Sequence, residues 1–122
     1  MATILVVDDS GYARRVHRRI LESGDHAVEE ASTGLEAIER YFLVKPDLVL
    51  LDLSMEDMSG LDVLRKLREM DPTVRVIVVS ADIQRTTERM VAEGGALRFL
   101  GKPVEPEHLL STINVLLQEA ER

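Results

Sequence analysis

The chain has 122 residues, a formal net charge of −7 and no cysteine. That length suits one domain, 1–122, whose core needs no covalent staple, and the missing thiols exclude disulfides, cysteine zinc sites and iron–sulfur clusters. The acidity argues against a direct nucleic-acid partner, and no apolar run approaches the ~20 residues of a membrane span.

Met1-Ala2-Thr3 leads straight into an apolar run with no basic region or cleavage site. No signal peptide is expected, and the expected location is cytoplasmic. Ile4-Leu5-Val6-Val7 predicts a buried first strand. Ser10 reads as an N-cap, and Ala13, Val16 and Ile20 form the stripe of a first helix. Ala27 to Ala31 predicts a half-polar second strand. Thr33-Gly34-Leu35-Glu36 has capping-box spacing, and Leu35, Ile38 and Phe42 form the next helical stripe. Leu48-Val49-Leu50-Leu51 predicts the third strand. Leu61, Leu64 and Leu67 mark a helix that stops before Asp71-Pro72. Val74 to Val79 predicts the fourth strand, and Ile83, Thr87, Met90 and Val91 the fourth helix, ended by Gly94-Gly95. Leu97 to Leu100 is a short edge strand. Pro106 opens a fifth helix along Leu109, Ile113, Leu116 and Leu117, with no output domain expected after it.

Five β/α units predict a doubly wound α/β fold, with a five-stranded parallel sheet and helices on both faces. In such sheets ligands collect at the carboxyl ends of the strands. Asp8 and Asp9 follow the first strand, Asp52 the third, Ser80 the fourth and Lys102-Pro103 the fifth. Three converging carboxylates repel one another, and a divalent cation relieves that. Oxygen donors in small number suit Mg²⁺, with Asp9 and Asp52 as direct ligands, Asp8 acting through water, and the Ser54 backbone carbonyl as a further donor. A carboxylate can take a phosphoryl group, and Asp52 stands alone on the central strand as acceptor. Lys102 and the Ser80 hydroxyl would stabilise the phosphoryl oxygens.

These residues, with Leu50-Leu51-Asp52-Leu53-Ser54-Met55 and Gly60 beyond, resemble the receiver domains of bacterial response regulators, the CheY-like family. The resemblance spans nearly the whole chain. It implies strand order 2-1-3-4-5 and a cis peptide at Lys102-Pro103. It also implies a sensor histidine kinase or histidine phosphotransfer protein as donor, and a downstream protein that reads the phosphorylated form. Such a protein regulates and is not an enzyme, catalysing only its own phosphoryl transfer and slow autodephosphorylation. Ser80 and Phe99 would be the switch residues. The sequence departs from the family pattern at Glu56, where proline is common, and at Phe99, often Tyr. Both keep open an alternative, a receiver-fold interaction module that works without phosphorylation. Arg14 and Arg18 lie in a basic cluster on the first helix and are read as a kinase-docking pair. A haloacid-dehalogenase phosphatase would want an acid where Ser54 stands, and a flavodoxin-like protein a phosphate loop where Asp8-Asp9 stand.

Overall fold

Strands and helices alternate strictly along the chain in the computed structural model, which describes residues 2–120. The order is β1 Thr3–Val7, α1 Gly11–Ser23, β2 Ala27–Ala31, α2 Gly34–Val44, β3 Leu48–Asp52, α3 Gly60–Met70, β4 Val76–Ser80, α4 Arg85–Glu93, β5 Arg98–Gly101 and α5 Pro106–Ala120. All strand pairs are parallel, in the order β2-β1-β3-β4-β5 expected above.

The pleat sorts the strand side chains into two cores. Ile4, Val6, Leu48, Leu50, Ile77 and Val79 face one way and pack with α1 and α5 residues such as Leu21, Leu109 and Ile113. Leu5, Val7, Val49, Leu51, Val76 and Val78 face the other way, against Ala37, Leu64, Leu67 and Val91 of α2, α3 and α4. β3 and β4 are buried along their whole length, which is why they read as continuous apolar runs.

The predicted caps form. Ser10 Oγ accepts from the Ala13 N–H, and Thr33 Oγ1 from the Glu36 N–H at 3.0 Å. The returning half of the box shifts by one residue, since Glu36 Oε1 accepts from the Ser32 N–H. The Lys102–Pro103 peptide is cis.

Several details differ from the sequence reading. β4 and β5 each lie one or two residues further along than Val74–Val79 and Leu97–Leu100. Leu35 and Phe42 are solvent-exposed, and α2 instead buries Gly34, Ala37 and Tyr41, small residues and a tyrosine whose hydroxyl bonds Asp71. In α4 only Val91 is buried; Ile83 precedes the helix and is exposed, as is Met90. On α1, His17 and Leu21 join Ile20 in the core, while Ala13 and Val16 are half-buried.

Candidate acidic site at the carboxyl end of the sheet

Strand register assembles the site. Val7 of β1 pairs with Leu51 of β3, Asp52 with Val79 of β4, and Ser80 with Gly101 of β5. Asp8, Asp52, Ser80 and Lys102 therefore emerge on neighbouring strands at one edge of the sheet. Alternation then chooses a side. Asp8 continues the row of Ile4 and Val6, Asp52 that of Leu48 and Leu50, and Lys102 that of Leu100, all towards α1 and α5. Ser80 continues the row of Val76 and Val78, on the opposite side.

Carboxylate oxygens of Asp8, Asp9 and Asp52 all lie within 4.8 Å of one another. Asp8 and Asp52 are buried, whereas Asp9 is exposed at the mouth. Lys102 Nζ bonds Asp8 Oδ2 at 2.9 Å and lies 3.5 Å from Asp52 Oδ1. Burial pushes the Asp52 carboxyl above the usual range, the Asp8 charge adds to this, and Lys102 with the Ser54 amide only partly offsets them. Burial pulls the Lys102 ammonium down, but its bond to Asp8 and the charges of Asp52 and Asp8 reverse the sign, and its pKa is raised. Three carboxylates sharing one lysine leave an excess of negative charge in a small space. That donor set fits a hard divalent cation, and Asp8, Asp9 and Asp52 are the side chains able to hold one. Ser54 is exposed in the loop after β3.

Ser80 is buried, and its Oγ accepts from the Asp82 N–H at 3.0 Å. The Asp82 carboxylate is itself engaged, accepting from the Thr87 hydroxyl and the Gln84 N–H. Phe99 is half-buried on β5 and packs on the core shared with α2, α3 and α4. Glu56 is exposed beside the site, in a hollow lined also by Asp9, Ser32, Thr33 and Asp57.

Arg14 and Arg18, the candidate docking pair, are both engaged in ion pairs. Both bond Glu30 of β2, at 2.9 and 2.8 Å. Arg14 also donates to the Asp8 carbonyl and Arg18 to that of Val28. Their charge ties α1 to the sheet edge, and the exposed arginines of that helix are Arg15 and Arg19. Two residues of the site's surroundings escaped the sequence reading. His17 is buried on α1 beside a hollow that Lys102 also lines; burial lowers its pKa, Asp8 opposes this and Lys102 reinforces it. Asp57 caps α2, accepting from the Gly34 and Leu35 N–H groups. His17 carries no sequence marker beyond its place on a helix, and Asp57 lies 23 residues from Gly34, a separation that no local capping rule spans.

Residues 4–114 match the family model of the response regulator receiver domain. The chain is 33% identical to the chemotaxis protein CheY of Thermotoga maritima over 112 residues, 91% of this chain and 93% of that protein. Among solved structures, a CheY-like response regulator receiver domain protein from Methanospirillum hungatei superposes with a TM-score of 0.93 at 30% identity, covering 99% of this chain and 97% of that one. The CheX–CheY–BeF3–Mg²⁺ complex from Borrelia burgdorferi superposes at 0.89 with 28% identity, covering 94% and 88%. Sheet order, acidic edge and sequence agree that this chain belongs to the response regulator receiver family of two-component signalling proteins.

Proposed function

We propose that the chain spans one receiver domain, residues 1–122, and accepts a phosphoryl group on Asp52 from a phosphohistidine donor in the presence of Mg²⁺. The observation that carries this reading is the cluster of three carboxylates with Lys102 Nζ at 3.5 Å from Asp52. Asp52 would act as the nucleophile, its oxygen forming a bond to phosphorus as the donor's imidazole nitrogen leaves. Asp8, Asp9, Asp52 and the Ser54 carbonyl would hold the cation, which when bound supplies positive charge to the transferring group. Lys102, already anchored by Asp8, needs little movement to reach a phosphoryl oxygen. Ser80 would exchange its contact with the Asp82 amide for another phosphoryl oxygen, and Phe99, packed under α4, would respond. Such a shift biases an existing equilibrium between two conformations, read by a downstream protein. The Borrelia CheY complex, named with BeF3, Mg²⁺ and a protein partner, supports this for a relative.

The donor would be a sensor histidine kinase or a histidine phosphotransfer protein, meeting the exposed Arg15 and Arg19 side of α1. Arg14 and Arg18 would contribute by holding that helix in place. Reversing the charge of Arg15 and Arg19 is expected to slow transfer from a protein donor and spare a small acyl phosphate. The main test is Mg²⁺-dependent labelling by acetyl phosphate, followed by intact mass. Wild type should gain one phosphoryl group, and Asp52→Asn none. Continued labelling of Asp52→Asn would mean that another residue is the acceptor.

A further inference from the structure

The loop that carries Ser54 is held from outside as well as from within. Residues 53–59 join β3 to α3. At the neck the Gly60 N–H bonds the Leu53 carbonyl, and Ser59 Oγ accepts from the Asp62 N–H at the start of α3. Further out the loop reaches a different element, the first turn of α2. Asp57 Oδ1 accepts from the Gly34 N–H at 2.9 Å, and Oδ2 from the Leu35 N–H at 3.1 Å. Met58 lies so close to the same turn that a Cβ on Gly34 would collide with its Cγ. Between the neck and this outer tie lie Ser54, Met55 and Glu56.

α2 does not need Asp57 in order to begin. Thr33 Oγ1 caps it through the Glu36 N–H, and Glu36 returns to the Ser32 N–H. Free N–H groups in a first helical turn can be served by water. The two Asp57 bonds therefore do more for the loop than for the helix, and they act close to the acidic site. The Ser54 N–H bonds the Asp52 carboxylate, and Asp57 shares with Asp9 the hollow at the mouth. The Gly34 N–H, and after it that of Leu35, holds the Asp57 carboxyl below the usual carboxylate range, so it stays ionised near neutral pH. We propose that Asp57 is a positioning residue for the cation: by latching the loop to α2 it sets where the Ser54 carbonyl stands. This rests on the reading above, in which that carbonyl is a ligand. Partners that never touch a metal commonly fix the orientation of the groups that do. The same latch makes the first turn of α2 respond when the loop is ordered by an ion.

Calorimetric titration of the full chain with Mg²⁺, without any phosphodonor, tests this. Asp57→Ala is expected to weaken Mg²⁺ binding about tenfold while its amide spectrum stays that of a folded chain. Asp57→Asn keeps one acceptor oxygen and should fall between Asp57→Ala and wild type. Glu56→Gln removes a charge from the same hollow but no bond to α2, and should bind nearly as wild type does. Mg²⁺ should shift the Gly34 and Leu35 amide resonances of wild type and leave them in place in Asp57→Ala. The Mg²⁺ needed for half-maximal labelling by acetyl phosphate should rise by a similar factor, a change that lost stability alone would not produce. If Asp57→Ala binds Mg²⁺ as tightly as wild type, and wild type is labelled at Asp52, the latch is wrong and the phosphoryl reading stands. Equal losses in Asp57→Asn and Asp57→Ala, or in Glu56→Gln and Asp57→Ala, overturn the latch by making charge the cause. A wild type that takes up no Mg²⁺ removes both readings together.

Discussion

Asp52 is held in a state that folding alone makes unfavourable. Its carboxyl titrates higher in the folded chain than the ~3.9 of an unfolded aspartate, first through burial and then through Asp8. Between those two values the folded state binds more protons than the unfolded one, so stability falls as pH rises through the window, and the full penalty stands above it. Asp52→Asn removes the charge. In metal-free buffer at pH 7 it should raise stability by about 1 kcal/mol, or roughly 4 °C in Tm. Below about pH 3.5 the gain should vanish, because the wild-type carboxyl is then protonated folded or unfolded. Thermal melts at the two pH values check this, and an equal gain at both would show that charge is not the cause. At this scale the acidic site was legible, because each strand run hands over directly to its polar residue. The partner of Arg14 and Arg18 was not. Glu30 lies on the neighbouring strand, and no spacing rule links a helix face to a strand edge before the crossover is built.

Among the elements, the loop from β3 to α3 closes on itself at Gly60, whose N–H bonds the Leu53 carbonyl at 2.9 Å. A Cβ on Gly60 would come within 2.5 Å of the Leu53 Cα and 2.7 Å of the Asp52 carbonyl oxygen, both backbone atoms that cannot swing aside. Gly60→Ala should therefore cost about 1–3 kcal/mol and displace the loop bearing Ser54. Phosphorylation by acetyl phosphate should slow with it. Denaturant melts read the first effect and labelling rates the second; normal rates in a destabilised protein would detach the loop's position from the chemistry. Gly34 offers a contrast, since its close neighbours are Met58 side-chain atoms and Val63 Cγ2, and a flexible methionine can yield. The same helix shows where pattern reading fails. Leu35 and Phe42, seven residues apart, imitate a core stripe, yet the interior side of α2 is held by two small residues, Gly34 and Ala37, and by Tyr41, whose hydroxyl reaches Asp71. α4 misleads for a related reason. Covered on one narrow face, it needs a single buried valine, and its other apolar residues reach solvent. The inner strands β1, β3 and β4, by contrast, were visible because residues sandwiched between two helix layers must be apolar on both pleats, whereas the edge strands β2 and β5 carry Glu29, Glu30 and Arg98 and read more weakly.

For the molecule as a whole, the crowded acids predict a stability that responds to a cation. Anything bound by the folded state alone stabilises it, by about 2.7 kcal/mol at a hundredfold excess over Kd. Mg²⁺ should raise the Tm of wild type in a saturable way, and much less that of Asp52→Asn or Asp9→Asn. Calorimetric scans across a Mg²⁺ series would show it, and identical shifts in all three proteins would place the ion elsewhere.

The two apolar hemispheres touch chiefly through the sheet that separates them, one built with α1 and α5, the other with α2, α3 and α4. Asp52 and Lys102 are rooted in the first, and Ser80, one rung away, in the second. A tetrahedral anion fixed to Asp52 and gripped by the Ser80 hydroxyl would act as a rivet through that partition. It would tie a helix pair to a helix trio at the carboxyl edge of the strands, so that a few atoms of added chemistry would set how the two halves sit together.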